Sequence, residues 1–148
     1  MPSPPSKMLL PIIVVPDTAW VPAMDWMPLS GRLQQGDEVL VPAFTYIATV
    51  LSVVHAGLKP VFVEPNTATF NIDLADAEKK LTPKTKAVLP VHLYGQLADM
   101  EKLNAWAKKS NLWVVEDAAQ AHGAQNLNAN KAGSFGHAAA FSFYPTKN

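Results

Sequence analysis

Cysteine is absent from the 148 residues, and so is any net charge: Lys+Arg and Asp+Glu each total 12. Without cysteine there are no disulfides and no thiolate metal sites, which favours a cytoplasmic protein. A balanced charge offers no electrostatic surface for nucleic acid or an anionic membrane. Long apolar runs are missing as well. Residues 8–15 follow Lys7 as a signal peptide would, but the run is short, contains Pro11 and leads to no small-residue cleavage site. It is far too short to span a bilayer. Also lacking are the Gly-x-Gly-x-x-Gly turn of a dinucleotide site and the Gly-Lys-Ser/Thr of a phosphate-binding loop. Ordinary nicotinamide and ATP chemistry are thereby set aside. What is present is 49% apolar and 16% charged residues, a globular composition at a length suited to one domain.

Composition breaks near Leu33. The first 28 residues hold seven prolines, four of the five methionines and two of the four tryptophans. Proline removes a backbone donor and keeps the preceding residue out of the helical region, so residues 1–33 are expected to be irregular. The genetic code offers a second reading of this segment. Ala23, Met24, Asp25, Trp26, Met27 and Pro28 must be encoded GCN-ATG-GAY-TGG-ATG-CCN. Read from the third base of the alanine codon, these bases give (Asn, Asp, His or Tyr)-Gly-Leu-Asp-Ala. The Asn-Gly-Leu-Asp-Ala version resembles a phosphate-binding turn, which makes the segment a candidate for a shifted reading frame, with residues 34–148 as the ordered domain.

From Gly36 onward, short apolar runs at 38–41, 60–64, 87–92, 112–116 and 138–143 suit strands buried on both faces. Helical stretches separate most of them. Residues 45–56 are largely apolar and read as a buried helix. Asp73 can cap a helix whose Leu74, Ala77 and Leu81 share one face. Asp99 can cap another, with Met100, Leu103, Trp106 and Ala107 as its buried stripe and Ser110 and Asn111 at its end. Alternating strands and helices imply an α/β fold with a mostly parallel sheet.

Ligands of an open parallel sheet bind beyond the carboxyl ends of its strands. The residues there are Phe44, Thr45 and Tyr46, then Glu64, then His92 with Tyr94, then Asp117 with Gln120, then 144–147. An aromatic plate, a strand-end acid and a lysine at the last strand's exit suit an aldehyde cofactor with a cationic ring. The motifs GDEVLVPAFTYIAT (36–49), PVFVE (60–64), NID (71–73), TPKTKA (82–87), PVHLYGQ (90–96), EDAAQAHGA (116–124) and FSFYPTKN (141–148) carry a more specific signal. In this order and spacing the chain resembles the DegT/DnrJ/EryC1/StrS family of sugar aminotransferases.

The resemblance implies the large, cofactor-binding domain of a type I aminotransferase, incomplete and without the small C-terminal domain. It also implies pyridoxal 5′-phosphate as cofactor. The reaction it implies is transfer of an amino group, usually from glutamate, to a nucleotide-linked keto sugar, by proteins whose full-length relatives are homodimers. Lys147 matches the lysine that takes the cofactor aldehyde as a Schiff base and then shuttles a proton. Asp117 matches the acid paired with the pyridinium nitrogen. Gln120 matches the hydrogen-bond partner of the ring hydroxyl, Tyr46 the aromatic stacked on the ring, and Ser142 a phosphate contact. His92 and Tyr94 stand at a strand exit and are expected to line the substrate pocket. His55, His122 and His137 have no metal-ligand spacing and are read as packing or solvent residues.

Two departures from the family pattern accompany the match. No phosphate-binding turn precedes Gly36 in the translated frame, and such anion sites normally use backbone amides at a helix start. The chain also stops one residue after Lys147. A regulatory relative or inactive fragment is therefore one alternative. A sugar dehydratase of the same family is another, but the dehydratases that carry histidine at the lysine position differ from this sequence at Lys147.

Overall fold

The computed structural model describes residues 31–143 in full and the backbone of Ile12–Val15. Among the described residues six strands form one sheet: β1 (Ile12–Val15), β2 (Glu38–Pro42), β3 (Lys59–Val63), β4 (Thr85–Val88), β5 (Trp113–Asp117) and β6 (Ala138–Ser142). Their order across the sheet is β1-β6-β5-β4-β2-β3, and every pair is parallel. Among the described residues three α-helices accompany them: α1 (Ile47–His55), α2 (Leu74–Lys79) and α3 (Met100–Lys109). The chain moves outward from β2 to β3, then returns to the other side of β2 for β4. Strand order thus reverses between β2 and β4, where open sheets of this kind place their ligands.

The alternation of side chains along each strand sorts the core into two layers. Val39, Val41, Ala87, Leu89 and Val115 pack with Val53 of α1 on one face. Leu40, Val88 and Val114 pack with Ala77 of α2 and with Met100, Leu103 and Trp106 of α3 on the other. Strand β2 is buried along its whole length, as its unbroken apolar run requires. Leu40 and Leu103 are 0% and 1% exposed, and truncating either to alanine is expected to cost about 2–5 kcal/mol.

The caps fall where the sequence places them. Asp73 accepts from the amides of Ala75 and Asp76, and Asp99 accepts from that of Lys102. Asn111, just past α3, takes the left-handed conformation (φ 55°) that closes a helix. Three expectations need correction. Residues 1–33 were expected to lack regular structure, yet Ile12–Val15 pairs with β6 in parallel register. These four residues are all β-branched and stand between Pro11 and Pro16, so each keeps its amide for an edge ladder. The helix expected at 45–56 starts only at Ile47, and it is not fully buried: Ile47 and Val54 are exposed. The strand expected at 87–92 ends at Val88, because Pro90 offers no amide to the ladder.

Candidate functional site

Four chain segments converge at the carboxyl edge of the sheet: the β2–α1 turn, the exit of β4, the end of β5 and the end of β6. Asp117, the last residue of β5, is only 3% exposed. Its backbone is fastened to the β4 exit, with its amide donating to the Pro90 carbonyl and its carbonyl accepting from the His92 amide. By alternation from Val115, its side chain lies on the α1 face. There Oδ2 accepts from the Thr49 hydroxyl at 2.8 Å and Oδ1 from the Ala119 amide at 3.1 Å. Thr45 lies one turn before Thr49 with its hydroxyl 3.1 Å away. Because Thr49 spends its single proton on Asp117, Thr45 is the donor in that second bond. A hydroxyl relay from α1 thus orients the carboxylate through uncharged donors.

Sequence reasoning did not single out Thr49. In an apolar helix a threonine carries no local signal, and its partner is 68 positions away.

Gln120 is oriented from its other end. Its Oε1 accepts from the Tyr94 amide at 2.8 Å, which leaves the amide nitrogen as the donor it can offer a ligand. The 3-10 turn Leu93–Gly95 that supplies this contact is unusual in backbone. Tyr94 holds φ 56°, a conformation costly for a residue with a Cβ. Gly95 follows at φ 79°, and a Cβ there would stand 3.1 Å from the Gln120 carbonyl oxygen. Asn71 braces the same turn by accepting from the Leu93 amide and donating to the Gln96 carbonyl.

Tyr46 is the N-cap residue of α1 and is 63% exposed, so it is a rim residue and not a core aromatic. Tyr94 is likewise an exposed rim residue. Ser142 is buried at the end of β6. Asp117 pairs with Ala140, so Ser142, two residues on, faces the α1 side as Asp117 does. Lys147 and the rest of 144–148 lie outside the described residues.

His92 departs from its expected place. Its side chain is fully buried, with Nε2 2.9 Å from Glu116 Oε2 and Nδ1 accepting from the Ala98 amide. With both ring nitrogens engaged on the α3 side it presents nothing to a pocket. A strand-end histidine looks the same in sequence whether it faces ligand or core. His137 accepts from the Val114 amide, and burial pushes its imidazole below the ordinary value. His122 packs against the rings of Phe141 and Phe143.

A cavity of about 670 Å³ opens at the start of α3, lined by residues such as Gln96, Asp99, Glu101 and Asn126. It lies apart from Asp117, Thr49 and Gln120, so the convergence of polar groups locates the site better than empty volume does. A buried, oriented carboxylate, an amide donor three residues on and an exposed ring at the rim match the needs of a flat pyridine with a protonated nitrogen and a ring oxygen. The described residues fit a pyridoxal-type cofactor.

Comparison with known proteins agrees. The family model described as the DegT/DnrJ/EryC1/StrS aminotransferase family matches residues 26–148. The chain is 57% identical over 113 residues to a pleiotropic regulatory protein of Geobacillus stearothermophilus, aligning 76% of this chain with 30% of that protein. It is also 57% identical over 108 residues to dTDP-3-amino-3,6-dideoxy-alpha-D-galactopyranose transaminase of Aneurinibacillus thermoaerophilus, with shares of 73% and 30%. The crystal structure of S. venezuelae DesV in complex with a ketimine intermediate superposes with a TM-score of 0.75 at 48% identity, over 84% of this chain and 34% of that one. The chain therefore spans about 30% of the length of the curated relatives it matches. By the extent of the family match and the size of these identities, the chain belongs to the DegT/DnrJ/EryC1/StrS aminotransferase family.

Proposed function

We propose that this chain is the cofactor-binding part of a pyridoxal-5′-phosphate-dependent aminotransferase that moves an amino group from glutamate to a nucleotide-linked keto sugar. The setting is cytoplasmic synthesis of amino sugars for polysaccharides. The observation that carries the reading is the Asp117 carboxylate, buried at the carboxyl end of β5 and aimed by Thr49 and Ala119. Bound there, the cofactor supplies an aldehyde and an electron-accepting ring. Asp117 pairs with the ring nitrogen and keeps its proton in place. Gln120 donates its amide to the ring oxygen, Tyr46 covers a ring face, and Ser142 contacts the phosphate. Lys147 Nζ would hold the cofactor through its aldehyde and, once released, would carry the proton to and from the nitrogen-bearing carbon of the substrate. Tyr94, on the rim, contacts the sugar nucleotide. Homodimer formation belongs to the same proposal.

The test is incubation with pyridoxal phosphate, glutamate and nucleotide-linked 3-keto and 4-keto sugars, followed by mass spectrometry. Replacing a carbonyl oxygen by hydrogen and an amino group yields a product about one mass unit heavier, together with 2-oxoglutarate. Absence of both products with every keto sugar sinks the proposal. The 57% identity to a pleiotropic regulatory protein favours a second reading, a regulatory role. It is supported if the protein binds cofactor yet forms neither product. We also propose that residues 1–33 have a different origin from 34–148, although the family match begins at residue 26. The coding DNA translated in all frames decides it: lack of any family-like sequence upstream of Leu33 in the other frames ends that idea.

A further inference from the structure

Glu116 has no exposed surface, stands one residue before Asp117 and points to the opposite face of the sheet. Its donors come from two separate segments. Oε2 accepts from Nε2 of His92 at 2.9 Å and from the Gly133 amide at 2.8 Å. Oε1 accepts from the amides of Phe135 and Gly136 at 2.8 and 2.5 Å. Four donors on two oxygens match the capacity of an ionised carboxylate. The His92 ring is fixed in turn, because Nδ1 accepts from the Ala98 amide and the ring proton therefore sits on Nε2, facing Glu116.

The loop of 133–136 is shaped around this side chain. A Cβ on Gly136 would meet the Val114 carbonyl at 2.8 Å and Glu116 Cγ at 3.2 Å. A Cβ on Gly133, at φ 83°, would stand 2.6 Å from the Phe141 ring. The loop leads through His137 straight into β6, whose Ser142 precedes the segment with Lys147. At the other end of the pair, the His92 amide holds the carbonyl of Asp117. Glu116 and His92 therefore tie the β4 exit, the end of β5 and the entry to β6 to one point. An apolar pair of the same volume would stabilise a core at least as well, since a buried charge carries a desolvation cost. What four directed hydrogen bonds add is a fixed register.

We propose that Glu116, seated on His92, is a positioning residue that sets β5 against β6 and so places Asp117 relative to Ser142 around the cofactor ring. This rests on the function proposed above. The test titrates pyridoxal phosphate into the wild type and into Glu116→Gln, His92→Leu and His92→Gln, reading the dissociation constant and the visible band of the bound cofactor. Circular dichroism at the same temperature reports the folded fraction. Glutamine at 116 keeps the size but turns an NH2 group toward two amide or ring donors, whichever way it flips. Glutamine at 92 keeps a donor near the place of Nε2, and leucine removes it.

Glu116→Gln and His92→Leu, measured folded, are expected to bind at least tenfold more weakly with a displaced band, whereas His92→Gln stays within threefold of the wild type. Affinity and band equal to the wild type in both disruptive variants overturn the inference. So does weakening that only follows the folded fraction, with no rescue by His92→Gln. If Glu116→Gln does not fold, the two His92 variants decide by the same criteria. A wild type that binds no cofactor overturns the proposed function and the inference together, whereas equal binding by wild type and variants overturns the inference alone.

Discussion

The hydroxyl of Thr49 gives the sharpest handle on the site. Thr49 is fully buried and donates to Asp117 Oδ2 at 2.8 Å. Thr49→Val keeps the shape and removes both the donor to Asp117 and the acceptor of the part-buried Thr45 hydroxyl. A hydrogen bond to a buried charged group contributes about 1.5–3 kcal/mol, because the carboxylate is then held away from water with one donor fewer. For a domain of this size 1 kcal/mol moves the melting temperature by about 2–4 °C, so Thr49→Val should melt about 3–12 °C lower. Thr49→Ser keeps the hydroxyl and should recover most of that loss. Urea unfolding of Thr49→Val, Asp117→Asn and the double variant completes the cycle. The threonine effect should shrink by at least half once Asp117 is an amide. A loss under about 0.5 kcal/mol in Thr49→Val, or an undiminished loss beside Asp117→Asn, refutes the relay; on the scale of single bonds to charged groups neither fits.

Two further outcomes follow from other parts of the fold. The Thr82 hydroxyl first, and then Lys59, hold the Glu38 carboxyl below its ordinary value of 4.5. A carboxyl depressed in the folded state adds stability above its unfolded value and loses it as pH falls through the folded one. Stability of the wild type should therefore drop more steeply below about pH 4.5 than that of Glu38→Gln, as read by urea unfolding at a series of pH values; parallel curves contradict this. Gly136→Ala forces a Cβ against the Val114 carbonyl at 2.8 Å and should cost about 1–3 kcal/mol, and an unchanged urea midpoint would show that the loop yields freely.

Much of the architecture was legible because strands buried on both faces leave continuous apolar runs. Those runs located β2, β3, β5 and β6 to within a residue or two, and Asp73 and Asp99 cap the helices they were expected to cap. The misses have separate causes. Strand β1 was hidden by prolines that flank it instead of interrupting it. The apolar content of 45–56 predicts a buried helix but does not reveal that α1 covers the sheet with one side only, leaving Ile47 and Val54 outside. At the site, the order of strand ends brought Asp117, Gln120, Tyr46, Tyr94 and Ser142 to the same edge of the sheet. Which way a side chain turns there depends on partners far along the chain. Thr49 and Glu116 went unnoticed, and His92 was given to the pocket, for that reason.

Asp117 and Lys147 are proposed to grip one pyridine ring, and a visible absorption titration with pyridoxal phosphate reads that grip. The wild type should show a yellow band from covalently attached cofactor. Lys147→Ala should abolish that band, and Asp117→Asn should keep it with affinity lowered at least about tenfold, the equivalent of about 1.4 kcal/mol. A colourless wild type, or a band indifferent to both substitutions, contradicts it.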